Sequence, residues 1–168
     1  MRTIILPGYS LHNKEWAEEA VKNLTINTKD EIFIHEWRHW SKKAGLSIKY
    51  EVGKIVEEIG KDKVNIIAKS VGTMVTMHIL QRIGDRIEKI ILCGIPSVST
   101  EREKLFASSL LAFPSEKIIC FQNKNDPFTS YKEVRKFMLG INPKIKVFEK
   151  PRSDHHYPYY KDFQNFIS

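Results

Sequence analysis

Short apolar runs that suit β-strands alternate with segments of helical periodicity along the chain. Six such runs are predicted to be strands, at residues 3–6, 31–34, 63–67, 89–93, 117–121 and 144–148. Several contain a continuous apolar stretch, such as Ile90-Ile91-Leu92-Cys93, which is typical of strands buried on both faces of a parallel sheet. The alternation therefore predicts an α/β fold, a three-layer α/β/α sandwich around a mostly parallel six-stranded sheet.

The segments between these runs show the apolar stripes of amphipathic helices. Gly60 and Gly84 each follow such a stripe and are expected to end those two helices. Patterns of the capping-box type begin at Thr100 and Ser130, where a hydroxyl and a later carboxylate can satisfy free amide groups. Pro158 suits the first turn of a last helix.

The composition is that of a globular chain, and the 168 residues are expected to form a single domain, residues 1–168. The net charge of +7 is scattered rather than clustered, so it predicts a solvated surface and no nucleic-acid partner. No apolar run reaches the length of a membrane span, and the first one is too short for a signal peptide. Cys93 and Cys120 are interpreted as buried thiols of a reduced, cytosolic protein. The oligomeric state is left open.

The segment after the third predicted strand carries the strongest chemical signal. It reads Ala68-Lys69-Ser70-Val71-Gly72, with a small residue two positions to either side of the serine and a predicted helix beyond it. This is the pattern of a nucleophile elbow, a tight turn that presents a serine hydroxyl at the N-terminus of a helix. Ser70 is therefore predicted to be a nucleophile, and the alternative is a serine that merely caps the apolar helix.

A serine nucleophile needs a histidine as base and a carboxylate that orients the histidine. The loop after the fifth predicted strand carries Asp126, and the loop after the sixth carries His155 and His156. Because the carboxyl ends of parallel strands meet at one edge of a sheet, these loops are expected to converge there. Asp126 is predicted to be the acid and His155 the base, with His156 as the alternative base. By themselves, a turn-forming aspartate and a solvated histidine pair remain alternatives.

The loop after the first predicted strand contains Gly8 and Tyr9, and a glycine turn there lets the backbone bend over the nucleophile. The amide groups of Tyr9 and Val71 are predicted to form an oxyanion hole. Aromatic side chains that follow other strands are predicted to line the substrate pocket. These substrate-binding candidates are Trp37, His39, Trp40 and Phe128.

Together these motifs resemble the α/β-hydrolase superfamily, especially its small lidless serine hydrolases, the retinoblastoma-binding-protein-9-like group. The resemblance rests on the elbow around Ser70, on Asn125-Asp126-Pro127 and on Asp154-His155-His156-Tyr157, and it spans nearly the whole chain. It implies a minimal α/β-hydrolase fold with nucleophile, acid and base in that chain order. The chain departs from the common pattern of the group at Pro7, where histidine is usual, and at Ala68, which replaces the first elbow glycine.

A competing motif, H-E-x-x-H, is matched by the segment from His35 to His39. On a helix, these two histidines would share one face and bind zinc, with Glu36 as general base. However, His35 directly continues a predicted strand, and no third ligand follows at the required spacing. We therefore predict no metal, and a zinc hydrolase remains the weaker alternative.

The sequence thus predicts a cytosolic serine hydrolase that cleaves a small carboxylic ester, in preference to an amide, through an acyl-enzyme. No cofactor is expected, and the expected partner is a small-molecule substrate rather than a membrane. Residues 94–116 leave room for one short helix only, so no large lid is expected. A catalytically inactive interaction protein on the same fold is the main alternative.

Overall fold

A computed structural model of the chain describes residues 1–25 and 30–168. The strands within these residues are β1 (Arg2–Leu6), β2 (Glu31–Ile34), β3 (Val64–Lys69), β4 (Ile87–Cys93), β5 (Ile118–Asn123) and β6 (Lys146–Lys150). The α-helices within them are α1 (Asn13–Asn23), α2 (Ile48–Ile59), α3 (Val71–Ile83), α4 (Thr100–Leu110), α5 (Tyr131–Ile141) and α6 (Tyr160–Ile167).

The strands form one six-stranded sheet in the order β2-β1-β3-β4-β5-β6, and all neighbouring strands are parallel. Their carboxyl ends therefore lie at one edge of the sheet. β2 lies on one side of β1 and β3 on the other, so the direction in which the sheet grows reverses between β1 and β3. In open α/β sheets a ligand crevice forms at such a reversal, because the loops that leave the two strands diverge. Ser70, which follows β3, lies beside this crevice.

Alternate residues of the strands face opposite sides of the sheet and contribute to two hydrophobic layers. On β4, Ile90 and Leu92 lie in one layer, and Ile91 and Cys93 lie in the other. The helices α2, α3, α4 and α5 complete the first layer, whereas α1 and α6 complete the second. The predicted three-layer sandwich with a parallel sheet is therefore confirmed.

Three strands run further toward their carboxyl ends than the apolar runs predicted. β3 continues to Lys69, β5 to Asn123 and β6 to Lys150. The prediction ended each strand at an apolar residue, but ladder hydrogen bonds join backbone groups, which polar residues supply equally well. The longer strands bring the side chains of Lys69 and Asn123 to the edge of the sheet where the predicted site lies.

The predicted helix starts are correct in part. Ser130 and its partner glutamate form both hydrogen bonds of a capping box at α5. At α4 the prediction was wrong by one residue, because Ser99 rather than Thr100 accepts the capping bond from the amide of Arg102. Pro158 lies two residues before α6 instead of in its first turn.

The segment between β4 and β5 does not form a lid. Its helix α4 packs into the first hydrophobic layer through Phe106 and Leu110. The described residues therefore form no large lid, as predicted. Among these residues, no helix is both long and apolar enough to cross a membrane. Cys93 and Cys120 are buried, free thiols.

Candidate active site

Ser70 occupies a strained turn between β3 and α3, with φ 54° and ψ −120°. Within residues 1–25 and 30–168 it is the only residue other than glycine with a positive φ. Such a conformation costs a residue with a side chain about 1–3 kcal/mol. Its amide donates to Cys93 O at 2.9 Å, and its carbonyl accepts from Thr73 N at 2.9 Å and from Thr73 Oγ1 at 2.6 Å. The surrounding structure thus holds Ser70 in a conformation that its own backbone disfavours.

The side chain of Ser70 makes no capping hydrogen bond to the helix that it precedes. Three other serines do cap helices, and each accepts a hydrogen bond from the amide three residues further on. Ser47, Ser99 and Ser130 show the extended backbone of ordinary caps, with φ of −108°, −65° and −68°. The interpretation of Ser70 as a helix cap is therefore wrong.

The small residues around Ser70 are required by the close approach of α3 to β1. A Cβ atom on Gly72 would overlap the carbonyl oxygen of Leu6 and would lie 3.0 Å from its carbonyl carbon. Ala68 is fully buried and pairs in the sheet with Leu6 on one side and Leu92 on the other. A larger side chain at either position would push the turn away from the sheet.

Asp126 lies in the loop after β5, and its side chain is fully buried. Its Oδ2 accepts from His155 Nδ1 and from the Tyr157 hydroxyl, both at 2.6 Å. Its Oδ1 accepts from the amides of Phe128 at 2.9 Å and Thr129 at 3.5 Å. Burial raises the pKa of Asp126, but the hydrogen bonds from His155 and Tyr157 outweigh it, so the pKa lies below its ordinary value. Asp126 is therefore an anion that contacts His155 directly.

The ring of His155 has one nitrogen bound to Asp126 and the other without a partner. Its Nε2 atom is buried and makes no hydrogen bond to any residue of the described part of the chain. Buried polar atoms are nearly always hydrogen-bonded, and exceptions are found at catalytic sites. This nitrogen is thus available to a substrate-side group.

The two neighbours of His155 make other contacts. His156 forms no hydrogen bond to Asp126 within the described ranges, and burial lowers the pKa of its imidazole. Asp154 pairs with Arg152, and this hydrogen bond lowers its pKa to about 2. Of the two histidines that the sequence left open, the structure brings only His155 to Asp126.

Ser70 and His155 line the same cleft, which has a volume of about 540 Å³. Tyr9 from the loop after β1 and Phe128 from the loop after β5 also line it. Another cleft, of about 420 Å³, lies between β5, β6 and α6 and includes neither Ser70 nor His155. The cleft at the reversal of strand order is therefore the one that holds the chemistry-bearing residues.

Asn123, at the end of β5, ties down the loop that carries His155. Its Nδ2 donates to the carbonyl oxygens of Asp154 and His156, on either side of His155, both at 2.8 Å. Its Oδ1 accepts from the Tyr159 hydroxyl at 2.6 Å. Sequence reasoning missed Asn123, and the available signal was a polar residue at the end of an apolar strand.

Gly94, directly after β4, lets the histidine loop approach the sheet. It has φ 62°, and a Cβ atom there would lie 2.9 Å from His155 Cε1 and 2.6 Å from Tyr157 Cε2. A side chain at this position would displace the imidazole. Sequence reasoning missed this glycine too, although a glycine that ends a strand is a recognisable signal for close backbone approach.

No protein-family model and no curated protein sequence matches the chain. Solved structures do match it. A predicted CIB-like hydrolase from Thermoplasma acidophilum aligns with a TM-score of 0.77 at 14% identity, covering 99% of this chain and 85% of that one. Naproxen esterase from Bacillus subtilis aligns at 0.67, with 12% identity and coverage of 99% and 83%. MGS-M2, an alpha/beta hydrolase enzyme from a deep-sea metagenome library, aligns at 0.61, with 10% identity and coverage of 99% and 87%.

The chain has the α/β-hydrolase fold. The predicted fold is therefore confirmed, and Ser70, Asp126 and His155 follow β3, β5 and β6 in the chain order that this fold uses for a triad. Membership in the retinoblastoma-binding-protein-9-like group stays a prediction, because structures this distant in sequence share the fold alone.

Three ring N–H groups hold the loop after β1 of this α/β-hydrolase fold. Trp37 Nε1 donates to Gly8 O at 3.0 Å. His39 Nε2 and Trp40 Nε1 both bond to Tyr9 O, at 2.7 Å and 2.8 Å. Trp37 is only 1% exposed. Among the described residues that line the cleft, only Phe128 belongs to the four predicted substrate-binding residues. Trp37, His39 and Trp40 instead hold the loop after β1 from behind.

The H-E-x-x-H segment does not form a helical metal motif in this α/β-hydrolase fold. His35 follows β2 in non-helical chain, and its Nε2 bonds to the buried carboxylate of Glu51 at 2.8 Å. His39 bonds to a backbone carbonyl, and Glu36 forms an ion pair with Lys14 at 2.7 Å. The described ranges contain no group of three or more metal-ligating side chains. The zinc alternative lacks the shared helix face on which it depends.

Tyr9 and Phe128 both line the cleft, with exposed fractions of 53% and 66%. The ring centroid of Phe128 lies 4.6 Å from that of His155, and Tyr9 stacks on His39 at 4.4 Å. Exposed aromatic rings beside polar groups provide apolar contact area for a bound small molecule. A substrate contact by Phe128 stays a prediction.

Proposed function

We propose that the protein is a cytosolic serine hydrolase that cleaves small carboxylic esters through Ser70, His155 and Asp126. The observation that carries this proposal is the strained backbone of Ser70 at the start of α3, together with a hydroxyl that caps nothing. Strain of this kind persists only where surrounding structure imposes it, and it clusters at functional sites. The two free, buried cysteines agree with a reducing compartment such as the cytosol.

In the proposed reaction, Ser70 Oγ transfers its proton to His155 Nε2 and attacks the carbonyl carbon of the ester. His155 then gives this proton to the alcohol that leaves, and an acyl-enzyme on Ser70 remains. Water, deprotonated by the same nitrogen, attacks the acyl-enzyme and releases the acid. Asp126 holds His155 in the tautomer that keeps Nε2 free, and it stabilises the imidazolium that forms. Every proton is returned, so the cycle needs no cofactor.

The oxyanion of each tetrahedral intermediate is stabilised by the amides of Val71 and Tyr9. Val71 is the first residue of α3, where amides have no partner inside the helix. The amide of Tyr9 forms no hydrogen bond within the described part of the chain. Removal of one such donor typically lowers kcat by about 10²–10³.

The dimensions of the cleft support a small substrate. A volume of about 540 Å³ matches a small-molecule site, and no large lid of the described residues covers it. Two of the similar structures are a naproxen esterase and a carboxylesterase from Bacillus subtilis, which supports an ester as the substrate.

The test is intact-mass labelling with a fluorophosphonate, which reacts with activated serines. We expect one label per wild-type chain and none on Ser70→Ala. We expect labelling to be at least about 100-fold slower for His155→Ala and nearly unchanged for the matched variant His156→Ala.

Each contrary result has a definite meaning. A folded wild type that takes no label would overturn the proposal and favour an inactive interaction protein. Ester hydrolysis that a chelator abolishes, by a protein that takes no label, would instead point to a metal-dependent hydrolase. Equal losses in the two histidine variants would contradict the assignment of His155 as base.

A further inference from the structure

The residue before the nucleophile, Lys69, is a buried cation without a carboxylate partner. Its exposed fraction is 5%, and none of the ion pairs in the described ranges includes it. Its Nζ donates to Asn13 Oδ1 at 2.6 Å and lies 5.5 Å from the ring centroid of Trp16. An ammonium group has three N–H donors, and the described residues supply an acceptor for one of them.

This arrangement is unusual for a lysine. Lysine side chains are almost never fully buried unless they are paired, because a charge removed from water must be compensated. Burial lowers the pKa of Lys69 to about 8, and the carboxylates of Asp126 and Asp154 oppose this change without bonding to it. The group therefore remains mostly protonated at neutral pH, with two donors unused.

Lys69 lines the same cleft as Ser70 and His155. Because both side chains line one cleft of about 540 Å³, a small molecule whose carbonyl is held at the nucleophile can also contact the ammonium. Two carboxylates, Glu15 and Glu19, also line the cleft, but both belong to exposed residues and are screened by water. Asp126, the buried anion nearby, does not line the cleft, so Lys69 is the buried charge among the described residues that do.

We infer that the substrate carries a carboxylate, and that Lys69 binds this carboxylate with its two free donors while Ser70 attacks the ester bond. This inference rests on the proposed serine hydrolase function and specifies its substrate class as esters of anionic character. A carboxylate in the cleft would bond directly to the ammonium, which no carboxylate of the described residues does, and charge-assisted hydrogen bonds of this kind are among the stronger ones.

A purely structural role for Lys69 makes a different prediction. Asn13, which binds Lys69, also donates to the carbonyl and the hydroxyl of Ser10, so Lys69 helps to anchor the loop after β1. If anchoring were its whole role, loss of the ammonium would lower activity toward neutral and anionic esters equally. If Lys69 binds the substrate, removal of its ammonium would lower activity toward anionic esters more than toward neutral ones.

The experiment compares esters that differ in one charge. Mono-4-nitrophenyl glutarate and its methyl ester place the charge in the acyl part, and 3-acetoxybenzoate and its methyl ester place it in the leaving group. The variants are Lys69→Met, which keeps an unbranched side chain, and the control Lys14→Met, which removes an exposed cation that pairs with Glu36. The measurement is the ratio of kcat/KM for the charged member to that of the neutral member.

We expect the wild type and Lys14→Met to prefer the charged member of at least one pair. In Lys69→Met this ratio should fall by at least about tenfold, while fluorophosphonate labelling of Ser70 continues. An unchanged ratio, or an equal loss on both members, would overturn the inference and leave the hydrolase function intact.

Binding provides a readout that does not depend on catalysis. Titration calorimetry with glutarate should show binding to the wild type and at least about tenfold weaker binding to Lys69→Met. If the wild type takes no fluorophosphonate label but binds glutarate through Lys69, the anion site is supported and the hydrolase function is refuted. If glutarate binds the wild type and Lys69→Met equally, the anion site is refuted.

Discussion

Trp37 Nε1 lies 3.0 Å from the carbonyl oxygen of Gly8, and this carbonyl belongs to the same peptide unit as the amide of Tyr9. In a trans peptide the C=O and N–H groups point in opposite directions, and the described residues contain no cis peptide bond. Trp37 is part of the hydrophobic core, so it draws the carbonyl inward. The amide of Tyr9 therefore points away from Trp37, and Tyr9 itself lines the cleft together with Ser70.

Trp37→Phe is expected to lower kcat by about tenfold or more with a smaller change in KM, because the proposed oxyanion donor loses its orientation. The matched control is Trp40→Phe, which removes an indole bond to Tyr9 O, an oxygen that His39 also binds. Steady-state kinetics on a 4-nitrophenyl ester measure both. Equal effects of the two variants would contradict a specific role of Trp37 in aiming the amide.

The strain at Ser70 predicts the relative stability of two inactive variants. Ser70→Gly and Ser70→Ala both remove the hydroxyl, but only glycine accepts a positive φ without strain. We expect Ser70→Gly to have a free energy of unfolding about 1 kcal/mol above that of Ser70→Ala. At exposed Lys104 in α4 the order should reverse, with glycine about 1 kcal/mol below alanine. Urea unfolding measures the stability of all four variants. If alanine were more stable than glycine at Ser70 as well as at Lys104, the backbone of Ser70 would not be strained.

Gly72→Ala is expected to destabilise the fold by about 1–3 kcal/mol and to lower activity, because the new methyl group would overlap Leu6 O. Gly53→Ala, in α2, is the matched control, since nothing lies within 4 Å of a Cβ atom there. That change should stabilise the protein by about 1 kcal/mol, because alanine favours helix more than glycine does. Thermal unfolding and ester hydrolysis measure the two variants, and a harmless Gly72→Ala would show that α3 can shift away from β1.

The lowered pKa of Asp126 predicts a dependence of stability on pH. Since the folded-state pKa lies below the unfolded one, ionised Asp126 contributes stability above about pH 4, which is lost as the pH falls through the folded-state value. In Asp126→Asn this contribution is absent, so the free energy of unfolding should fall less steeply as the pH drops below about 4. Urea unfolding at several pH values measures the two slopes.

A companion variant tests Asp126 against Asp154, the carboxylate that directly precedes His155 in the sequence. Asp126→Asn should lower kcat by about 10³-fold or more, because the imidazole loses its orienting carboxylate. Asp154→Asn should keep nearly full activity, because Asp154 pairs with Arg152 rather than with the ring of His155. A large loss in Asp154→Asn would reverse the assignment of the acid.

Much of the fold was predictable from local pattern. Strand and helix periodicities reflect which faces are buried, and this requirement acts on each segment separately. The ends of the strands were predicted less well, because Lys69 and Asn123 continue the backbone ladder without contributing to the apolar pattern. The same two residues are the ones that the structure brings to the edge of the candidate site.

The sequence by itself determined the class of the sheet, the elbow around Ser70 and the chain order of Ser70, Asp126 and His155, because spacing and strand order are properties of the chain. Only the tertiary structure decided which histidine contacts Asp126. Only the tertiary structure also showed that Trp37, predicted to line the substrate pocket, lies behind the loop after β1. It alone showed that Lys69 is buried with an amide oxygen, rather than a carboxylate, as its hydrogen-bond partner. These outcomes depend on where side chains from distant segments meet, and distance in space is not encoded in residue spacing.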